Sequence, residues 1–99
     1  MAAFYAQNKS RHELRLYVAG NTPKSLRAVQ NVKRICDAEL PGQYDLEIVD
    51  VYKEPGRLAR DQVVAIPTLV KLAPGVIKRL IGDLSQEAQV RMGLGLLAT

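Results

Sequence analysis

The chain has a single cysteine, a single histidine, one phenylalanine and no tryptophan in 99 residues. A lone Cys36 excludes an internal disulfide, a thiolate cage for a metal and a Cys-x-x-Cys redox pair. No metal site and no cofactor is expected. His12 lies in the polar opening stretch MAAFYAQNKSRHE and reads as a solvated terminal residue. With Cys36 placed in a helix core, a Cys–His nucleophile pair is not expected. No apolar run approaches the ~20 residues needed to cross a bilayer, and the opening stretch lacks the apolar h-region of a signal peptide. Residues 1–13 therefore read as a flexible lead-in, residues 14–99 as one domain, and a cytoplasmic location is expected. Charge is unbalanced: 14 Lys and Arg against 10 Asp and Glu, a net +4. Yet no arginine-glycine segment, zinc motif or array of stacking aromatics accompanies it, so an acidic protein surface suits this chain better than nucleic acid.

What is present is regular patterning. LRLYVAG (14–20) alternates Leu14, Leu16 and Val18 against Arg15 and Tyr17, the period of a strand. Thr22-Pro23 then starts a helix, with threonine at the N-cap and proline at the first helical position. Leu26, Val29, Val32, Cys36 and Leu40 recur at three- and four-residue steps as its apolar stripe, Lys24, Arg27, Asn31 and Arg34 form a polar face, and Pro41-Gly42 ends it. YDLEIVDVY (44–52) alternates again as a second strand. Strand, helix and strand make a βαβ unit with parallel strands and a right-handed crossover. RLARDQ (57–62) reads as a short helix. Strands at about 66–72 and 76–81 flank the turn signal Ala73-Pro74-Gly75, giving an antiparallel hairpin. Asp83 with Gln86 three residues later is a capping-box variant and predicts a helix from Leu84 or Ser85 onward.

The last segment, VRMGLGLL (90–97), supports two readings. In steps of two it alternates like a half-buried strand; in steps of four Leu84, Ala88, Met92 and Leu96 form a helical stripe. Glycines at 93 and 95 weaken both. The upstream cap favours the helix, and the predicted order is βαβαββα, an α/β single domain.

That order is thioredoxin-like, and Ile66-Pro67 opening the third strand resembles the thioredoxin cis-proline site. The loop AGNTPKS (19–25) carries no redox cysteines. The strings LYVAGNTPKSLRAV (16–29), LPGQY (40–44), AIPTLVK (65–71) and RLIGDLS (79–85) resemble the KaiB family of circadian-clock proteins, over residues ~14–98. The resemblance implies a metamorphic, non-enzymatic regulator. One state is thioredoxin-like and monomeric. The other is a ground-state fold assembled as a homotetramer, with residues 76–97 rearranged: VIKRLIG helical and the last segment a strand. Pro67, Gly75, Gly82, Gly93 and Gly95 punctuate this region and are the candidate switch positions. Cyanobacterial members carry aspartate where this chain has Gly95, and substitution here shifts the family toward the thioredoxin-like state, which is therefore expected to dominate.

The resemblance further implies that the partner is a KaiC-like ATPase hexamer, bound on its N-terminal ring, with KaiA or a clock-output histidine kinase as further partners. The family's basic KaiC-binding positions match Arg27, Lys71 and Arg79. The strand carrying Leu46, Ile48 and Asp50 matches the region used for KaiA. A lysine that relatives place before the third strand is Gln62 here. Two other classes stay open: a thioredoxin-like sensor module working in trans with a histidine kinase or a KaiC-type ATPase, and a redox protein using Cys36.

Overall fold

Strand β1 (His12–Val18) forms the centre of the structure because its alternation supplies two different buried faces. The computed structural model describes residues 11–96. The remaining elements are α1 (Pro23–Glu39), β2 (Tyr44–Asp50), the single turn α2 (Arg57–Arg60), β3 (Thr68–Ala73), β4 (Lys78–Ile81) and α3 (Glu87–Gly93). The sheet order is β2-β1-β3-β4; β1 and β2 are parallel, the other neighbours antiparallel. The expected βαβαββα order is present, and β2 and β4 form the two edges of the sheet. Leu14, Leu16 and Val18 meet α1 and α3 in one core with Ala28, Val32, Ile35, Cys36, Leu69 and Val90. Tyr17, Val49 and Val70 form a second core on the opposite face, covered by residues of the 51–66 connection including Leu58, Val63 and Ile66.

α1 starts as its sequence dictates: the Thr22 hydroxyl accepts from the Ser25 N–H at 3.4 Å, and Pro23 occupies the first turn. A cap of this kind contributes about 1 kcal/mol. The expected apolar stripe holds at Val29, Val32, Cys36 and Leu40 and fails at Leu26. Leu26 is 47% exposed, whereas Ser25, Ala28, Val32, Ile35 and Cys36 face inward. Ser25 masks the true stripe by being polar; its hydroxyl is satisfied by the Ala19 N–H at 3.0 Å.

At the N-terminal end, β1 begins two residues before the expected Leu14. His12, expected to be solvated, is 7% exposed, and its Nε2–H donates to the Leu94 carbonyl at 2.7 Å. Arg11 clamps Asp45 through two N–H groups at 2.7 and 2.8 Å and donates to the Gly42 carbonyl. Residues 1–10 of the expected lead-in lie outside the described residues.

Two elements differ from the sequence-based expectation at the C-terminal half. The β3–β4 ladder pairs only to Lys71↔Lys78; β3 runs on to Ala73, which pairs with Glu13 of β1, and residues 74–77 form the loop. The peptide bonds before Pro67 and Pro74 are both cis. Asp83 does not cap a helix at Leu84: its carboxylate accepts from the Ser85 N–H at 3.1 Å, and α3 starts only at Glu87. The reason is Leu84, whose side chain is buried in the core and whose φ of 63° leaves the helical region. Asn31 of α1 fixes this linker by donating to the Asp83 carbonyl at 2.8 Å.

Residues 90–96 resolve as helix and its terminator. The Gly95 N–H donates to the Met92 carbonyl and the Leu96 N–H to the Arg91 carbonyl, at 3.0 and 2.8 Å. This is the Schellman arrangement, and it places Gly95 at φ 76°, where a side chain costs about 1 kcal/mol. Gly93 serves packing instead: a Cβ there would lie 2.5 Å from Leu80 of β4. Residue 97 of the ambiguous stretch lies outside the described residues. Gly95→Ala is expected to lower stability by about 1 kcal/mol, read as a lower urea midpoint at unchanged slope. Gly56→Ala, at a φ of −69° with open space around it, is expected to leave the midpoint unchanged or raised.

Candidate partner-binding surface

The exposed edge strand β4 carries Lys78, Arg79 and Ile81, next to Val76 and Ile77 of the loop; Val76 is 73% and Ile81 62% exposed. An open cleft of about 230 Å³ runs between β4 and α3, lined in part by Arg79, Ile81, Asp83 and Gln89. An edge with free backbone groups, apolar side chains and cations suits an acidic, apolar partner segment.

The expected binding residues fall into three settings. Arg79 is exposed, and its Nε–H donates to the Asp61 carbonyl at 2.8 Å. Arg27 lies on the exposed face of α1 and pairs with Asp83 at 3.4 Å, just beyond the end of β4. Arg79 sits near the start of β4 and reaches the 61–62 turn, whereas Arg27 reaches the segment that follows the strand. Lys71 does not join them. It is 6% exposed, and its ammonium group donates to the carbonyls of Pro74 and Val76, the latter at 2.7 Å, filling the β3–β4 loop. Burial, then the charge of Lys78, holds its pKa below the ordinary lysine value. Leu46, Ile48 and Asp50 sit on the opposite edge, β2. Leu46 packs against the core, Ile48 is 40% exposed, and the Asp50 carboxylate receives the N–H groups of Gly20 and Tyr52 at 3.2 and 2.9 Å. Asp50 therefore braces the turn at the end of β2. Among the switch candidates, Pro67 is buried and its carbonyl accepts from the Gly82 N–H, while Gly75 and Gly82 have φ of 76° and 113°.

Sequence reading missed the charged cluster beneath this surface. Asp61, 8% exposed, accepts from the Tyr17 hydroxyl at 2.6 Å and from Arg15 at 2.8 Å. Arg15 also donates to Glu47 at 3.0 Å, and Arg57 contacts Glu47 at 2.6 and 2.9 Å. Burial alone would raise the pKa of Asp61; the hydrogen bonds from Tyr17 and Arg15 outweigh it and hold the group below the ordinary value. The Arg57 hydrogen bonds, opposed by partial desolvation and aided by Arg15, bring Glu47 down to about 2. One signal was available: Arg15 sits mid-strand between Leu14 and Leu16, and an arginine there needs an anionic partner once its face is covered. Cys36 is fully buried in α1, and burial pushes its thiol up to about 11, far from a reactive thiolate.

The fold is the thioredoxin-like class. Mitochondrial thioredoxin 3 from Saccharomyces cerevisiae superposes with a TM-score of 0.70 at 17% identity, covering 97% of this chain and 89% of that one. The N-terminal domain of SasA from Synechococcus elongatus superposes with a TM-score of 0.71 at 30% identity, over 91% of this chain and 89% of that domain. The KaiB domain family matches residues 15–96, and the chain belongs to it. Circadian clock oscillator protein KaiB of Prochlorococcus marinus is 48% identical over 84 residues, 85% of this chain and 78% of that protein. Its namesake from Microcystis aeruginosa is 45% identical over 89 residues, 90% of this chain and 86% of that protein. Among the described residues no helix is long and apolar enough to cross a membrane.

The charged cluster has a defined pH signature. Asp61 and Glu47 have lowered pKa values when folded, so their stabilisation is complete above the ordinary carboxylate range of about 4 and is lost as pH falls below it. For Glu47 the loss runs down to about 2. Urea midpoints measured across this range should fall steeply for the wild type. Glu47→Gln should start lower at neutral pH and fall less; parallel curves would contradict the assignment.

Proposed function

We propose that this chain is a non-enzymatic clock-type regulator that docks on the N-terminal ATPase ring of a KaiC hexamer and influences its phosphorylation cycle. The observation that carries this reading is the pairing of KaiB family membership with the thioredoxin-like arrangement, in which β4 presents Arg79 at an open sheet edge. A redox role has poor support in the chemistry: the start of α1 reads Asn21-Thr22-Pro23-Lys24, and the thiol at Cys36 is buried and poorly acidic. Complementary charge at such an edge governs encounter rate and specificity more than total affinity. Arg27 and Arg79 supply it, and the β2 edge with Ile48 offers a separate surface for a second partner of the KaiA kind. The state proposed for this role is the monomer, with the rearranged homotetramer as its alternative.

A second reading is favoured by the likeness to the SasA N-terminal domain. On it the chain is a sensor or adaptor module that works in trans with a histidine kinase or a KaiC-type ATPase outside a clock.

Titration of fluorescently labelled protein with KaiC hexamer, with ATP and without nucleotide, tests the first reading. Saturable, ATP-dependent binding is expected, weakened at least about tenfold by Arg79→Glu. No binding under either condition, or binding indifferent to the charge at residue 79, contradicts it.

A further inference from the structure

Arg79 is held from below. Its Nε–H meets the backbone carbonyl of Asp61 at 2.8 Å, and its Nη2 lies 3.5 Å from the Gln62 side-chain oxygen. Neither contact supplies a negative charge, and among the described residues no carboxylate pairs with Arg79. A guanidinium carries more donors than these contacts use. The group is thus oriented but not neutralised.

The two residues that orient it form an unusual turn. Gln62 has a φ of 55°, a left-handed conformation that a non-glycine residue keeps only when its surroundings enforce it. The enforcement comes from Asp61. Its carboxylate is fastened to the central strand by Tyr17 and Arg15 at 2.6 and 2.8 Å, and its backbone carbonyl accepts from Arg79. One residue therefore connects the buried face of β1 to a cation on the edge strand. A short polar side chain anchored by two donors is what this geometry needs; asparagine would lose the ionic contact with Arg15.

We infer that Asp61 is a positioning residue for partner binding: by fastening the 61–62 turn to β1, it holds the Arg79 guanidinium ready to receive a carboxylate from an acidic partner surface. The inference rests on the binding role proposed above for Arg79, and it adds the residue through which the sheet sets that role. Arg79 keeps a fixed direction before the partner arrives, so less side-chain freedom is lost on binding.

A double-mutant cycle on the intact chain tests it, with Asp61→Asn and Arg79→Ala, binding to the ATP-loaded KaiC hexamer as the readout. Asp61→Asn is expected to weaken binding about fivefold when Arg79 is present and less than about twofold when residue 79 is alanine. An equal loss in both backgrounds would show a general structural effect and overturn the inference. Should Asp61→Asn not fold, Tyr17→Phe, which removes a single hydrogen bond to the same carboxylate, takes its place in the cycle. The free protein gives a readout that needs no partner: the Arg79 Nε–H resonance should exchange slowly with water in the wild type and be lost to fast exchange in the variant. An unchanged resonance overturns the positioning role even if the wild type fails to bind KaiC, a failure that by itself would count against the proposed function.

Discussion

A strand covered on both faces has no solvent-facing side on which to place its polar residues. β1 approaches that position: Glu13 at its start stays exposed, but Arg15 and Tyr17 fall on the face covered by the 51–66 connection. A partly buried arginine left without an anionic partner is destabilising, and the connection delivers one to it. Asp61 does so, with Glu47 from the neighbouring strand as the second partner. The path of the connection, the left-handed turn at Gln62 and the direction of Arg79 all follow from that one requirement.

The other face of β1 is ordinary packing, and it governs the C-terminal half. Leu84 enters the core at a backbone angle that delays the helix, Gly93 admits Leu80 against α3, and Gly95 closes the helix in a conformation that favours glycine. Local preference in residues 84–96 is nearly balanced between helix and strand. Tertiary contacts decide it, and the same contacts leave β4 as an open edge. Fold and surface are thus linked: an arrangement that unwound α3 would also change what the β4 edge presents.

Much of this was readable in advance. Alternation in 14–20 and 44–52, Thr22-Pro23 before a helix and Pro41-Gly42 after it are short-range signals, and the βαβ unit follows from them. What was hidden depends on partners distant in the chain. Asp61 meets Arg15 across 46 residues, and His12 meets Leu94 across 82. Lys71 looks like a surface cation in a strand pattern, but the wide loop folds back and takes its ammonium group. Asp83 has the spacing of a helix cap, yet the demand to bury Leu84 overrides it. Periodicity reports which residues are apolar; it does not report which polar residue has been given a buried partner.

Backbone chemical shifts of the free chain, recorded by NMR together with its tumbling time, test the central claim that this sequence rests in the thioredoxin-like arrangement. Strand shifts over 78–81, helical shifts over 87–93 and the tumbling of a monomer are predicted. Helical shifts over 76–82 with strand shifts in the last segment, in a particle of tetramer size, would contradict it.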